Sequence, residues 1–214
     1  MMGDLISRDL ILNWLKAWCI SRDLPLPAEY KSGFKVDVGY PDQKQRYVFP
    51  ELNDDFFQLS NEIDDTWIYL KFCGSPEDIK DKIPARWEIQ PQGYMMYCFE
   101  PMKAVHLELS DDYNLKVQVL NSVFIAQILT DKNKIASEGR LILVDDLAIY
   151  DRIVTHEEHR GKGLATILMK ELENIAISNG IRKNFLVATQ QGKSLYEKLG
   201  WKLYTLYTSI VIVP

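Results

Sequence analysis

Apolar positions near the start of the chain recur at intervals of three and four. Leu5, Leu10, Ile11, Trp14, Leu15 and Trp18 fall on one face and predict a helix over 5–20. Pro25 and Pro27 end it, since proline lacks the N–H and clashes with the preceding turn. The pattern then changes to alternation. FKVDVGY (34–40) and RYVF (46–49) predict two strands joined by the polar turn PDQKQ. Residues 53–63 predict a short helix capped by Asn53 or Asp54, and 66–74 a strand that ends at glycine. Ser75, Pro76, Glu77 and Asp78 carry the signals of a helix start, so 75–83 is expected to be helical. A strand over 93–101 completes a first half that reads as α/β in its own right.

From 112 the pattern becomes strand after strand. YNLKVQVL, VFIAQIL, KIASEGRLILV and DLAIYDRIVTH follow one another across short polar turns. A turn with two glycines then opens a long amphipathic stretch, in which Leu164, Ile167, Leu168, Leu172, Ile175 and Ala176 share one face. FLVAT (185–189) predicts a strand, 190–200 a helix and 201–213 one or two closing strands. The fold class is mixed α/β. No internal repeat is visible. The change of pattern places a boundary near 101–111, which gives an N-terminal α/β domain over 1–105 and a second domain over 106–214.

Composition narrows the function classes. The 214 residues are 47% hydrophobic and 26% charged, which suits a soluble globular chain able to bury a full core. The net charge of −5 argues against broad nucleic-acid binding, which needs a basic face. Excess acid lies in the first half: residues 1–110 hold 18 acidic and 12 basic residues, and 111–214 hold 12 and 13. Cys19, Cys73 and Cys98 are widely spaced, and His156 and His159 have no cysteine near them, so no metal site is expected. Unpaired cysteines suit a reducing cytoplasm. No signal peptide opens the chain and no apolar run approaches the roughly 20 residues that span a bilayer, so a cytoplasmic protein without a membrane partner is expected.

THEEHRGKGLATILMKELE (155–173) carries the candidate chemistry. Its helix begins near Gly161–Ala165, where the first four N–H groups lack internal partners and the dipole adds positive charge. Acids usually fill that position. Here Arg160 and Lys162 flank two residues without side chains, an arrangement that lets an anion approach the backbone. A tight turn with solvated Arg160 and Lys162 is the competing reading. The P-loop pattern and the three-glycine dinucleotide fingerprint are both absent.

RGKGLA (160–165) fits the pattern of an Arg or Gln, two residues, Gly, one residue, then Gly or Ala. LVATQQGKSLYEKLGW (186–201) adds a strand, a helix bearing Leu-Tyr, and Gly-Trp. Together these motifs resemble the GNAT superfamily of N-acetyltransferases over about 112–214, most closely its little-characterised bacterial members. The resemblance implies a GNAT fold with a mostly antiparallel central sheet in the second half, and acetyl-coenzyme A as acyl donor. The backbone of Arg160, Gly161, Lys162, Gly163, Leu164 and Ala165 would bind the pyrophosphate. The main chain of Ile153, Val154 and Thr155 would line the pantetheine arm, beside a neighbouring strand that splays away. Tyr196 matches the general acid, although it could equally be a packed tyrosine. Asp151, sharing a strand face with Ile153 and Thr155, leads the candidates for general base. Asp145, Asp146, Glu157 and, less readily, His156 are rivals, and a salt bridge to Arg152 is the plain alternative for Asp151.

One departure stands out. The family places two helices between its first two strands, whereas only Asn121 and Ser122 separate them here. Residues 1–105 would then cap the acceptor site or be a worn copy of the same fold. The reading is acetyl transfer to a primary amine, of a small molecule rather than a protein, by direct attack in a ternary complex. A sensor that holds acyl-coenzyme A without turnover is the alternative. A toxin acting on aminoacyl-tRNA is disfavoured by the lack of basic character. A homodimer is left open.

Overall fold

The computed structural model describes residues 6–104 and 107–214. Among them are twelve strands, mostly antiparallel, and four α-helices. They group into two compact units. The first comprises the chain up to Met95 with Val187–Gln190 and Leu203–Pro214; the second comprises Met96–Leu186 and Gln191–Lys202. A single cut near 101–111 therefore does not describe the chain. The C-terminal strand returns to the first unit, where it pairs with a strand of the N-terminal half.

In the first unit, α1 (Arg8–Ile20) is capped by Ser7, whose Oγ accepts from the Leu10 N–H at 3.2 Å. Strands β1 (Ala28–Tyr30), β2 (Gly33–Tyr40), β3 (Gln43–Phe49) and β4 (Ile68–Cys73) lie in sequence order. β12 (Lys202–Val211) follows β4, and β5 (Glu88–Ile89) pairs with β12. β3 and β4 run parallel, because α2 (Asp54–Glu62) crosses between them. Asn53 caps α2 by accepting from the Phe56 N–H at 3.3 Å, and Asp54 and Asp55 occupy its first turn. Alternation gives this sheet two distinct faces. Tyr47, Phe49, Leu70, Phe72 and Ile210 form a dry core with Phe56, Leu59 and Trp87. Strand neighbours on the opposite face include the buried Arg46, Lys71, Tyr207 and Ser209. Trp18 of α1 stacks 3.6 Å from the Arg46 guanidinium carbon, and Trp14 packs edge-on to Tyr207.

The helix expected over 75–83 is only a 3-10 turn, Pro76–Asp78. Its start signals do operate: Ser75 and Asp78 form a reciprocal capping box. Pro84 follows too soon for the helix to propagate beyond its costly nucleus.

The second unit orders β7 (Tyr113–Leu120), β8 (Val123–Thr130), β9 (Ile135–Val144), β10 (Leu147–Thr155) and β11 (Lys183–Ala188) as neighbours. β6 (Gly93–Cys98) lies where the chain passes from one unit to the other. β7 and β8 form a hairpin whose turn residues, Asn121 and Ser122, both have positive φ, at 48° and 65°. No helix intervenes, as the sequence led us to expect. α3 (Leu164–Ser178) crosses from β10 to the parallel β11 and packs on β8, β9 and β10, and α4 (Gln190–Lys198) follows β11. Glu173 breaks the apolar face of α3 yet is buried. Its carboxylate accepts from the Met102 N–H at 2.6 Å and from Lys170 Nζ at 2.5 Å, clasping the chain segment that precedes β7. No described helix is long and apolar enough to cross a membrane.

Candidate active site

The site is built where β10 gives way to α3. Against β9, the β10 ladder runs regularly as far as Asp151–Arg140 and resumes at Val154–Glu138. Arg152 and Ile153 thus face Gly139 alone, a β-bulge, and Arg152 adopts φ 51°. Gly139 makes this packing feasible: a Cβ there would lie 2.6 Å from Ile153 Cδ1 and 2.8 Å from Leu168 Cδ2. Ser137 fastens the strand beyond the bulge. Its Oγ donates to the Val154 carbonyl at 3.0 Å and lies 2.9 Å from Thr155 Oγ1. The bulge interrupts the plain two-residue alternation that sequence assigned to Asp151, Ile153 and Thr155.

On its other flank, β10 pairs with β11 only from Leu147–Lys183 to Tyr150–Leu186. β10 then continues to Thr155 without that ladder. Asp151 through Thr155 therefore present a strand segment on the side where the parallel neighbour has dropped away. Ile153 turns inward toward α3, and Val154 is 52% exposed.

Beyond β10, a 3-10 turn over Glu157–His159 leads into the glycine loop. Gly161 and Gly163 both adopt φ 76°, a left-handed conformation that costs a residue with a Cβ about 1–2 kcal/mol. Gly163 is the N-cap of α3 and supplies no capping side chain, and no acid occupies the first turn. Among the described residues, no acceptor engages the N–H groups of Gly161, Lys162, Gly163, Leu164 or Ala165; the ladder resumes with Thr166 and Ile167 donating to the Gly163 carbonyl. A Cβ at Gly161 would meet nothing within 4 Å, so space is open on that side, whereas one at Gly163 would lie 2.9 Å from Leu107 Cδ1. Bare N–H groups beside open space fit a phosphate group. The two basic side chains are both engaged: Arg160 Nε donates to the Thr155 carbonyl at 3.3 Å, and Lys162 Nζ donates to the Tyr113 hydroxyl at 2.9 Å.

Tyr196 projects from α4 and is 7% exposed. Its ring lies 5.9 Å from that of Trp201, which meets Tyr150 edge-on at 5.2 Å. Tyr150 is the last β10 residue in the ladder to β11, and its hydroxyl donates to Asn184 Oδ1 at 3.1 Å. Burial, and then the charge of Asp151, push the Tyr196 phenol well above its ordinary pKa. No described residue hydrogen-bonds the Tyr196 hydroxyl. The charge of Asp151, 45 positions away in sequence, thus acts on the Tyr196 phenol. Of the rival bases, Asp146 is bound to Lys183 at 2.6 Å, which holds its carboxyl below the ordinary value. Asp145 lies in the β9–β10 turn, and Glu157 and His156 belong to the turn before the loop. Sequence reasoning missed Gly139, Ser137 and Tyr113. A lone glycine inside an alternating strand was the available signal for the first; nothing local marked the other two.

The glycine loop and α3 lie within a stretch that matches known proteins. Residues 121–203 match the family model described as an acetyltransferase (GNAT) domain. The chain is 26% identical over 194 residues to the uncharacterized N-acetyltransferase YobR of Bacillus subtilis, covering 88% of this chain and 78% of that protein. In fold it is similar to a GNAT-type acetyltransferase from Kribbella flavida, with a TM-score of 0.65, 12% identity, and 100% and 97% of the two chains covered. A putative GNAT-family acetyltransferase from Novosphingobium aromaticivorans gives 0.59, 14% identity, and 95% and 97%. Residues 121–203 thus match an acetyltransferase (GNAT) domain, and the chain is similar in sequence to an N-acetyltransferase and in fold to GNAT-type acetyltransferases.

Proposed function

We propose that this protein transfers an acetyl group from acetyl-coenzyme A to a primary amine of a small molecule, by direct attack within a ternary complex. The observation that carries the reading is the run of five unengaged N–H groups, Gly161 to Ala165, at the head of α3. It directly follows the stretch of β10 that has left its parallel neighbour. The N–H groups of the loop hold the pyrophosphate, and the main chain of Ile153, Val154 and Thr155 pairs with the pantetheine amides as an added strand would. The bound thioester supplies the activated acyl group. Asp151 takes the proton that an ammonium must lose before it can attack. Tyr196 holds the proton that the departing thiolate needs, and its raised pKa keeps that proton in place. The excess of acid in residues 1–110 favours a cationic acceptor.

Calorimetry with coenzyme A and its acetyl ester tests the donor. Thiol release with a panel of primary amines tests the reaction. Binding without any release would turn the protein into an acyl-coenzyme A sensor, and absence of binding would remove the assignment altogether.

A further inference from the structure

Tyr113 has no place in the chemistry above, yet it joins both sides of the glycine loop. It is the first residue of β7, is paired with Thr130 of β8, and has its N–H bonded to the Ser110 carbonyl at 2.9 Å. Its side chain is 8% exposed. The hydroxyl lies 2.9 Å from Lys162 Nζ and 2.9 Å from His159 Nδ1. An ammonium can only donate, so the phenol oxygen accepts from Lys162. The phenol and His159 Nδ1 share the second hydrogen bond, whose donor is set by the imidazole tautomer. The rings of Tyr113 and His159 meet edge-on at 5.7 Å, and Lys162 Nζ lies 5.5 Å from the Tyr113 ring.

We infer that Tyr113 is a positioning residue for the diphosphate seat, holding the Lys162 ammonium and the His159 turn in place before the donor arrives. This rests on the donor reading above. Lysine carries about 2 kcal/mol of rotamer entropy, most of which a ligand would otherwise have to remove. Tied to a buried phenol on a paired strand, the ammonium of Lys162 waits beside the bare N–H groups at little further cost on binding. A mere packing role would need only the ring. The hydroxyl, shared between the residues that flank Arg160 and Gly161, is what ties the loop.

The test compares coenzyme A with pantetheine, which lacks the diphosphate. Calorimetry follows the first, and ligand-observed NMR the second. Tyr113→Phe keeps the ring and should weaken coenzyme A about tenfold, while pantetheine stays within about twofold of wild type. Lys162→Met should give a similar loss, and the double variant should lose little more than either single change, because both break one coupled unit. Equal loss for both ligands, or fully additive losses, would make Tyr113 a structural residue and overturn the inference. So would unchanged coenzyme A affinity in Tyr113→Phe, with the donor reading intact. If the wild type binds pantetheine and coenzyme A alike or neither, the donor reading fails and this one with it. Lys162→Met, on an exposed loop, keeps the comparison decisive if Tyr113→Phe folds poorly.

Discussion

The carboxylate of Asp151 on β10 reaches the phenol of Tyr196 on α4 electrostatically, and raises a pKa that burial has already lifted. If the pair serves as base and acid, Tyr196→Phe should lower kcat by about two to four orders of magnitude while leaving coenzyme A affinity within about twofold. The phenol keeps its proton above its ordinary value of 10.0, so no alkaline fall in turnover should arise from Tyr196 below about pH 10. A steady-state pH profile checks the second point, and calorimetry beside kinetics checks the first.

Gly161 faces open space, so a methyl group there touches no other part of the protein. Gly161→Ala should lower stability by only about 1–2 kcal/mol, from the left-handed φ. Coenzyme A affinity should fall by more than that if the diphosphate is held as proposed, since the new Cβ would stand where it approaches the backbone. Denaturant melts and calorimetry on the same samples separate the two effects.

Gly139→Ala places a carbon against Ile153 and Leu168. Overpacking of this kind costs about 1–3 kcal/mol. Because Ile153 lies in the bulge, the strain should also reach the strand segment proposed to pair with the pantetheine arm. Thermal denaturation should drop, and pantetheine binding should weaken along with that of coenzyme A.

Lys71 is buried against Ser209, with its Nζ 2.6 Å from the hydroxyl, and burial and the nearby Arg46 charge hold its pKa well below 10.5. In the window between that lowered value and 10.5, the unfolded chain binds a proton that the folded chain does not. Stability from this site therefore rises with pH across the window, by at most about 1.4 kcal/mol per unit, and is lost as pH falls. Lys71→Met should stabilise the protein by about 1–3 kcal/mol, more at pH 6 than at pH 9. Urea unfolding at the two pH values would show it.

Much of this was legible from periodicity. The helix ahead of Pro25, the β2–β3 hairpin, the β7–β8 hairpin and α3 all follow from apolar spacing and turn residues, because each is a local decision. The glycine loop was legible for the same reason: the bare helix start lies in one contiguous stretch. What escaped was non-local. The pairing of β12 with β4 joins residues more than 130 positions apart, and no pattern within either strand encodes its partner. The parting of β10 from β11 depends on where a ladder stops, and the Tyr113–Lys162 bond spans 49 positions. The failed helix at 75–83 erred in the other direction, with good start signals but too short a run before Pro84.

The helices of the two parallel crossovers described above, β3–α2–β4 and β10–α3–β11, begin in opposite ways. Asn53 caps the head of α2 by accepting from the Phe56 N–H, and the carboxylates of Asp54 and Asp55 repel any incoming anion there. On the proposed reading, a donor nucleotide would be admitted at the head of α3 and turned away at that of α2. Titration should then saturate at one equivalent per polypeptide, with the β3–α2–β4 crossover serving as scaffold and taking no share of the ligand.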